Sequence, residues 1–549
     1  MPGAKGAGAE SAAAEIYDAI IVGAGFAGMY MLHRLRDDMG LSAHVFEAGS
    51  GVGGTWFWNR YPGARVDIES QEYSFSFSEE LEKDWHWTER YSAQPEILKY
   101  ANHVADRFDL RRDISFNTRV ASAIYEEATG LWRITTEDGR IATARFCIMA
   151  TGCLSAAKTP DIPGAGQFEG ETYSTATWPT GGVDFKGKKV GIIGTGSSGI
   201  QTITTIAPEV GELVVFQRTP NFSVPAHNGP LKPEITRDWL NHREAYRKEQ
   251  RESGVGILAL QPREELTLDV PEQEREQEFE MRWAKGGFCL GAAFADLGID
   301  PAANNELVSF VTEKIRGIVK DPETADRLTP KTYPIGAKRL CVDTGYFEVY
   351  NQDNVSLVDL TATPIETITS TGIRTSERDY DFDAIIFAIG FDAMTGALDR
   401  IDIRGRGGLR LHDKWSAGPL TYLGLMVSGF PNLFLVTGPG SPSVLSNMLV
   451  SIEQHVDWIA DCIQNLGQRQ LSTIEATPAA ESEWVAHVNE VAAGTLYMQA
   501  NSWYLGANVP GKPRVFMPYV GGVGVYREKC DEVAANDYEG FELARAPDA

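Results

Sequence analysis

Tyr17-Asp-Ala-Ile-Ile-Val-Gly-Ala-Gly-Phe-Ala-Gly28 is the stretch that decides the fold of this chain. Ala19 to Val22 is a continuous apolar run of strand length, suited to a parallel strand buried on both faces. It breaks into Gly23-x-Gly25-x-x-Gly28. The spacing of Met29, Leu32 and Leu35 then predicts a helix from Met29 to Met39. A second strand, His44-Val-Phe-Glu47, ends in an acid 22 residues past Gly25. Strand, glycine loop, helix, strand and acid in this order form a unit that binds a dinucleotide. The glycines let the backbone approach a pyrophosphate at a helix N-terminus, and the acid takes a ribose hydroxyl.

The device returns at Lys188-Lys-Val-Gly-Ile-Ile-Gly-Thr-Gly-Ser-Ser-Gly199, with Gly194, Gly196 and Gly199 framing Thr195, Ser197 and Ser198. Its second strand, Leu213-Val-Val-Phe-Gln-Arg218, places Arg218 22 residues past Gly196, where the first unit has Glu47. An acid repels a 2′-phosphate and an Arg pairs with it. The first site is therefore expected to take FAD and the second NADPH in preference to NADH, with Thr219 adding a hydroxyl.

Two such units predict an α/β protein with two Rossmann-like dinucleotide-binding domains. The segment from Pro220 to Pro334 changes character. Glu234 to Glu252, Pro271 to Lys285 and Asn305 to Lys320 read as helices, the first two strongly charged, and form a helical insertion. The expected division is a flexible tail over 1–15, an FAD domain over 16–152 and 391–549, an NADPH domain over 153–222 and 334–390, and the insertion over 223–333. Asp383 to Gly390 should supply the last strand of the NADPH domain.

Composition narrows the partners. With 75 acidic and 50 basic residues the net charge is −25, which argues against nucleic acid or an anionic membrane as partner. No apolar run nears the roughly 20 residues of a membrane helix. Met1 to Ala14 is Ala- and Gly-rich with one Lys and no apolar core, unlike a secretory signal. Six cysteines without CxxC spacing fit a reducing, cytoplasmic setting and no metal site.

Gly51-Val-Gly-Gly-Thr-Trp-Phe-Trp-Asn-Arg-Tyr-Pro-Gly-Ala-Arg-Val-Asp67 crowds glycines and aromatics without a regular period, as a loop along a flat cofactor would, with Arg65 and Asp67 as polar handles. Thr437 to Met448 is a second Gly/Pro/Ser loop, followed by a long helix from Val450. Ala500 to Arg514 is Gly/Pro-rich and aromatic, as a mobile lid is.

Phe168-Glu-Gly-Glu-Thr-Tyr-Ser-Thr-Ala-Thr-Trp-Pro179 resembles the Baeyer–Villiger monooxygenase fingerprint F-x-G-x-x-x-H-x-x-x-W-P/D. The loop ending in Asp67, Gly336-Ala-Lys338-Arg339 and Gly390-Phe-Asp-Ala-x-Thr-Gly396 carry the resemblance from about Tyr17 to about Leu543. Gly438-Pro-Gly-Ser-Pro-Ser and Trp503-Tyr-Leu-Gly-Ala-Asn are similar to the phenylacetone and steroid monooxygenase branch. Two positions depart: the fingerprint His is Ser174, and the Thr usual before Gly390 is Ile389. In the family the His lies in an inter-domain linker, so its loss bears on coupling more than on reaction type.

The resemblance implies an enzyme using FAD, NADPH and O2 to convert a ketone to an ester or lactone through a C4a-peroxyflavin. It implies Arg339 as the catalytic cation and Asp67 as its acidic partner, which also touches the cofactors. It implies Lys338 at the 2′-phosphate with Arg218, Arg65 and Trp503 at the nicotinamide nucleotide, and Gly54, Thr55, Trp56 and Tyr73 at the flavin. Two other readings stand beside it: a flavin-dependent oxygenase of sulfides or amines, and a non-catalytic flavin redox sensor. The Arg339–Asp67 pair and Trp178-Pro179 favour the ketone reading.

Overall fold

The computed structural model describes residues 15–545, so the expected N-terminal tail lies outside the described residues. Glu15 is the exception, and it opens a strand instead of ending a tail.

Two sheets carry the architecture. The first contains β1 (Glu15–Val22), β2 (Ala43–Phe46), β3 (Ile114–Ser115), β4 (Val120–Glu126), β5 (Leu131–Thr136) and β6 (Ile141–Met149). The second contains β7 (Glu171–Ser174), β8 (Lys189–Ile193), β9 (Glu212–Gln217), β10 (Val355–Asp359) and β11 (Ala384–Phe387), in the order β10-β9-β8-β11-β7, with every neighbour parallel. The chain then returns to the first sheet. β12 (Asp402–Arg404) pairs with β4, and β13 (Leu433–Leu435) pairs with β6 beyond the end of β5. The first sheet thus runs β12-β4-β5-β6-β1-β2-β3 with β13 beside β6. The chain is an α/β protein with two Rossmann-like units and a helical insertion.

β1 and β8 are the buried central strands that their apolar runs predict: Ala19 to Ile21 and Val190 and Ile192 are fully shielded from solvent. α1 (Phe26–His33) begins three residues before the expected Met29 and passes into a π-helical turn, Arg34–Asp38. Apolar spacing misplaces this start because Phe26 to Leu32 are all buried, so no single face stands out. Gly25 is the N-cap, and Met29 N–H donates to its carbonyl.

α2 (Ser197–Ile206) follows the second glycine loop. The insertion holds α3 (Pro233–Glu252), α4 (Glu272–Lys285) and α5 (Pro301–Ile318). Its ends are tied together by the short parallel pair Ser223–Pro225 and Cys341–Asp343. Arg247 of α3 is anchored against the FAD side of the chain. It pairs with Glu82, whose side chain is almost fully buried, and donates to Ser74 at 2.7 Å. α6 (Met448–Gln468) packs on α1 and carries much of the first core on one face.

Candidate active site

The two glycine loops are built alike, and each glycine has its own reason. A Cβ on Gly23 would meet the Ala150 carbonyl at 2.6 Å, and one on Gly28 the Gly23 carbonyl at 1.8 Å. In the second unit a Cβ on Gly194 would meet Ala388 O at 2.4 Å, and one on Gly199 would meet Gly194 O at 2.3 Å. These four glycines close the turns and let helix and strand touch. The middle glycines are different. A Cβ on Gly196 would meet nothing within 4 Å, and one on Gly25 would approach only Gly54, at 3.5 Å. Neither helix N-terminus has a side-chain cap. Each therefore presents free backbone N–H groups and a positive dipole end in a place where a pyrophosphate can come close, so both loops fit a dinucleotide.

Glu47 closes the first loop. One carboxylate oxygen accepts from Ala24 N–H and the other from Gly49 N–H, each at 2.6 Å. Burial raises its pKa, while the two N–H groups oppose that rise. Among the described residues no other group donates a hydrogen bond to this carboxylate.

The aromatic loop lies between the two units. Gly54, at φ 52, sits so close to Gly25 that a Cβ would come within 2.9 Å of the Gly25 Cα. Thr55 is exposed at the start of the short helix Thr55–Trp58. Trp56 is buried, and its indole N–H donates to the hydroxyl of Tyr73 at 3.1 Å. Farther along, a Cβ on Gly63 would strike Gln201 O at 2.4 Å, and Tyr61 OH donates to the Gln201 side chain. The loop that leaves the first unit is thereby pressed on α2 of the second. It carries Arg65, which donates to Glu89 and to Tyr91 O at 3.0 Å each, and then Asp67.

Asp67 meets Arg339 there. Arg339 Nε donates to Asp67 at 3.1 Å, and Nη2 donates to both carboxylate oxygens at 2.8 Å. Nη1 donates to Val444 O at 3.0 Å, and the guanidinium lies 5.2 Å from the centre of the Phe288 ring. Burial works against the charge, and Asp67 together with Tyr504 more than offsets it, so the pKa of Arg339 is raised and its proton stays bound. Cys341, two residues on, contacts Ser197 at the N-terminus of α2. Arg339 thus touches the first glycine unit through Asp67, the returning segment through Val444 and the insertion through Phe288.

The other cations gather at the far side of the second loop. Arg218 is exposed at the end of β9. Lys338 is half-buried with its ammonium 4.5 Å from the centre of the Tyr333 ring, and burial and then the Arg218 charge lower its pKa. Thr195 donates to Thr219 O, joining the loop to the strand end. Ser198 lies in the first turn of α2. Trp503 opens a short 3-10 turn, Trp503–Leu505, half-buried against Tyr504 at a ring separation of 4.3 Å. Phe288 and Val444 had no sequence signal: one lies in an aperiodic Gly-Gly-Phe stretch, and the other acts only through its carbonyl.

Ser174 is the last residue of β7, at the edge of the second sheet and in register with Phe387 of β11. Ile389 lies two residues beyond Phe387, the last residue of β11. The two departures from the family pattern therefore lie close to the same, C-terminal end of the adjacent strands β7 and β11.

A family model described as pyridine nucleotide-disulphide oxidoreductase matches residues 20–250. A protein of Pseudooceanicola batsensis named Baeyer-Villiger monooxygenase is 42% identical over 526 residues, spanning 95% of each chain. The chain belongs to the Baeyer–Villiger monooxygenase family. Another relative, the phenazine N-monooxygenase of Lysobacter antibioticus, is 41% identical over 535 residues, 97% of this chain and 98% of the relative. A solved structure of oxidised steroid monooxygenase bound to NADP superposes with a TM-score of 0.93 at 52% identity, covering 97% of this chain and all of that one. Among the described residues of this Baeyer–Villiger family member, no helix is long and apolar enough to cross a membrane.

Proposed function

We infer that this chain is an FAD- and NADPH-dependent Baeyer–Villiger monooxygenase that inserts one oxygen atom of O2 next to a ketone carbonyl. Ketone, O2, NADPH and a proton become ester or lactone, water and NADP+. When bound, FAD supplies the oxygen activation and NADPH the hydride.

The residues divide the remaining work. The N-termini of α1 and α2 hold the pyrophosphates, with Glu47 on the FAD ribose. Gly54, Thr55, Trp56 and Tyr73 line the flavin. Arg65 and Trp503 hold the nicotinamide nucleotide, and Arg218, Thr219 and Lys338 hold the 2′-phosphate. Negative charge develops on the ketone oxygen as the second oxygen bonds to its carbon. A fixed cation that keeps its proton stabilises that charge.

The Arg339–Asp67 geometry is the observation that carries this reading. Nε and Nη2 of the guanidinium donate to Asp67, and Nη1 donates to Val444 O. Asp67 fixes the plane of the fork, and the Tyr504 hydroxyl lies beside the guanidinium. Incubation with NADPH and a panel of ketones, with product analysis, tests the reading. Ester or lactone formed in step with NADPH oxidation supports it. NADPH oxidation without product from any ketone counts against it.

Oxygenation at nitrogen or sulfur is a second reading, supported by the relative named for N-oxygenation. Amines and sulfides belong in the same panel.

A further inference from the structure

No helix or strand runs between Trp58 and Glu79, so the backbone around Tyr73 has no ladder of its own to hold it. Its hold comes from the insertion. Arg247 of α3 is only 5% exposed, and its guanidinium donates on both sides of Tyr73. Nη2 donates to the Ser74 hydroxyl at 2.7 Å and to Phe75 O at 3.3 Å, and Nη1 reaches back to Glu72 O at 3.5 Å. Gln250, one turn on and fully buried, accepts from Nη1 at 3.0 Å and donates to the Glu72 carboxylate at 3.4 Å.

Glu82 balances the charge, accepting from Nε at 2.8 Å and from Nη2 at 2.6 Å. A buried ion pair of this kind is costly to desolvate, and an apolar side chain of similar volume would fasten α3 at least as well. What an apolar side chain cannot do is direct hydrogen bonds to the groups that flank Tyr73. Glu72 O also accepts from Asn447, the N-cap of α6, at 2.8 Å. Asn447 in turn donates its N–H to Val255 O, just past the end of α3.

Tyr73 faces the chemistry. Its hydroxyl accepts from Trp56 at 3.1 Å, and its ring meets Phe26, at the start of α1, edge-on at 6.2 Å. Burial raises its pKa, and the charges of Asp67 and Arg339 are both close enough to bear on it. The ring thus has the helix of the first glycine unit beside it and the Arg339–Asp67 pair within electrostatic reach.

We propose that Arg247 is a positioning residue for the flavin: by gripping Ser74 and Phe75 it fixes the Tyr73 ring against the cofactor, so that a helix of the insertion sets the flavin's surroundings. The assignment rests on the FAD reading above, with Tyr73 at the flavin. It gives the buried charge of α3 a task beyond fastening the insertion.

The test uses full-length holoenzyme. An aromatic ring packed on a flavin quenches its fluorescence by electron transfer, and the quenching falls steeply with distance. Arg247→Lys keeps the charge beside Glu82 but has no planar fork to span Ser74 and Phe75. Its bound FAD should fluoresce several-fold more brightly than in the wild type, and its dissociation constant for FAD should rise about tenfold, as loss of a charge-assisted hydrogen bond predicts. Ser74→Ala removes a single contact and should move both readouts the same way by less; it carries the test if Arg247→Lys does not fold. Tyr73→Leu takes away the quencher. In that background Arg247→Lys should add little, because two changes that act through one contact are not additive. Wild-type fluorescence and FAD affinity in Arg247→Lys and Ser74→Ala, with only the melting temperature lowered, would overturn the proposal. So would an equal effect of Arg247→Lys with and without Tyr73. A Tyr73→Leu holoenzyme with wild-type fluorescence would instead overturn the placement of Tyr73 at the flavin, and a wild-type protein that binds no FAD would overturn the FAD reading itself.

Discussion

Asp67 and Arg339, 272 residues apart in the chain, hold each other through three contacts of 2.8–3.1 Å at the junction of the two nucleotide-binding units. Asp67 arrives on a loop clamped to α2 by Gly63 and Tyr61, and Arg339 just before the strand Cys341–Asp343 that closes the insertion. The pair orients a cation and also locks one unit against the other. An exposed ion pair contributes little, but this one is partly shielded, with side-chain exposures of 29% and 20%, and two of its Arg339 donors converge on one carboxylate.

The flavin should be bound without a covalent bond. Glu47 and the open cradle at Gly25 supply a complete non-covalent site, and the loop Gly51 to Asp67 contains no His or Cys. Purified protein should be yellow, and acid precipitation should release the colour to the supernatant. Colour that remained in the pellet would refute the assignment.

NADPH should be strongly preferred over NADH. Arg218→Ala should raise KM for NADPH about ten- to a hundredfold and leave KM for NADH nearly unchanged, as removal of a charge-assisted phosphate contact predicts. Equal effects on the two nucleotides would place the 2′-phosphate elsewhere.

Much of this was legible before any coordinates. Short apolar runs broken by glycines at fixed spacing can form little else than a strand-loop-helix turn, and both sheets formed around them. The charge swap between Glu47 and Arg218 was equally open to reading. The start of α1 was not, because its first turns are buried all round and periodicity needs a polar face to show. The pairing of Asp67 with Arg339 came only through the family resemblance, since nothing local to either residue points to the other. Phe288 and the Val444 carbonyl were hidden for a related reason. Their contribution is a contact across elements, and backbone carbonyls carry no residue signature.

Ser174 should not abolish oxygenation. Its hydroxyl caps the turn after β7, accepting from Ala176 N–H at 3.3 Å, and it sits at a sheet edge. Ser174→His should change product formed per NADPH consumed more than it changes which product forms. Conversion of an inert oxidase into an oxygenase by this change alone would put residue 174 much nearer the chemistry.

Glu72 should make the fold pH-sensitive. It is buried beside α3, accepting from Leu258 N–H at 2.8 Å, while Asn447 donates to its backbone carbonyl at 2.8 Å. Burial is the largest cause of a pKa pushed up from 4.5 to about 7, with Glu69 raising it further and Arg247 opposing. A carboxyl raised in the folded state favours folding fully below its unfolded pKa. That contribution is lost as pH rises from about 4.5 to 7, because the unfolded chain releases its proton first. The lost stability is on the order of 3 kcal/mol at neutral pH. Glu72→Gln should therefore gain in melting temperature over wild type as pH goes from 5 to 8. A difference that stayed constant across that range would show that Glu72 does not titrate in it.

Arg339→Ala separates the two half-reactions and tests the central assignment. Reduction of the flavin by NADPH places no new charge at the oxygen site, whereas oxygen transfer to the ketone does. Losing one preorganised charge stabiliser costs about 10² to 10³ in rate. Anaerobic stopped-flow should show Arg339→Ala bleaching its flavin with NADPH at close to the wild-type rate. In air the same protein should consume NADPH, release hydrogen peroxide and form little or no ester. Ester formation at wild-type levels by Arg339→Ala would contradict the account and remove Arg339, and Asp67 with it, from the mechanism.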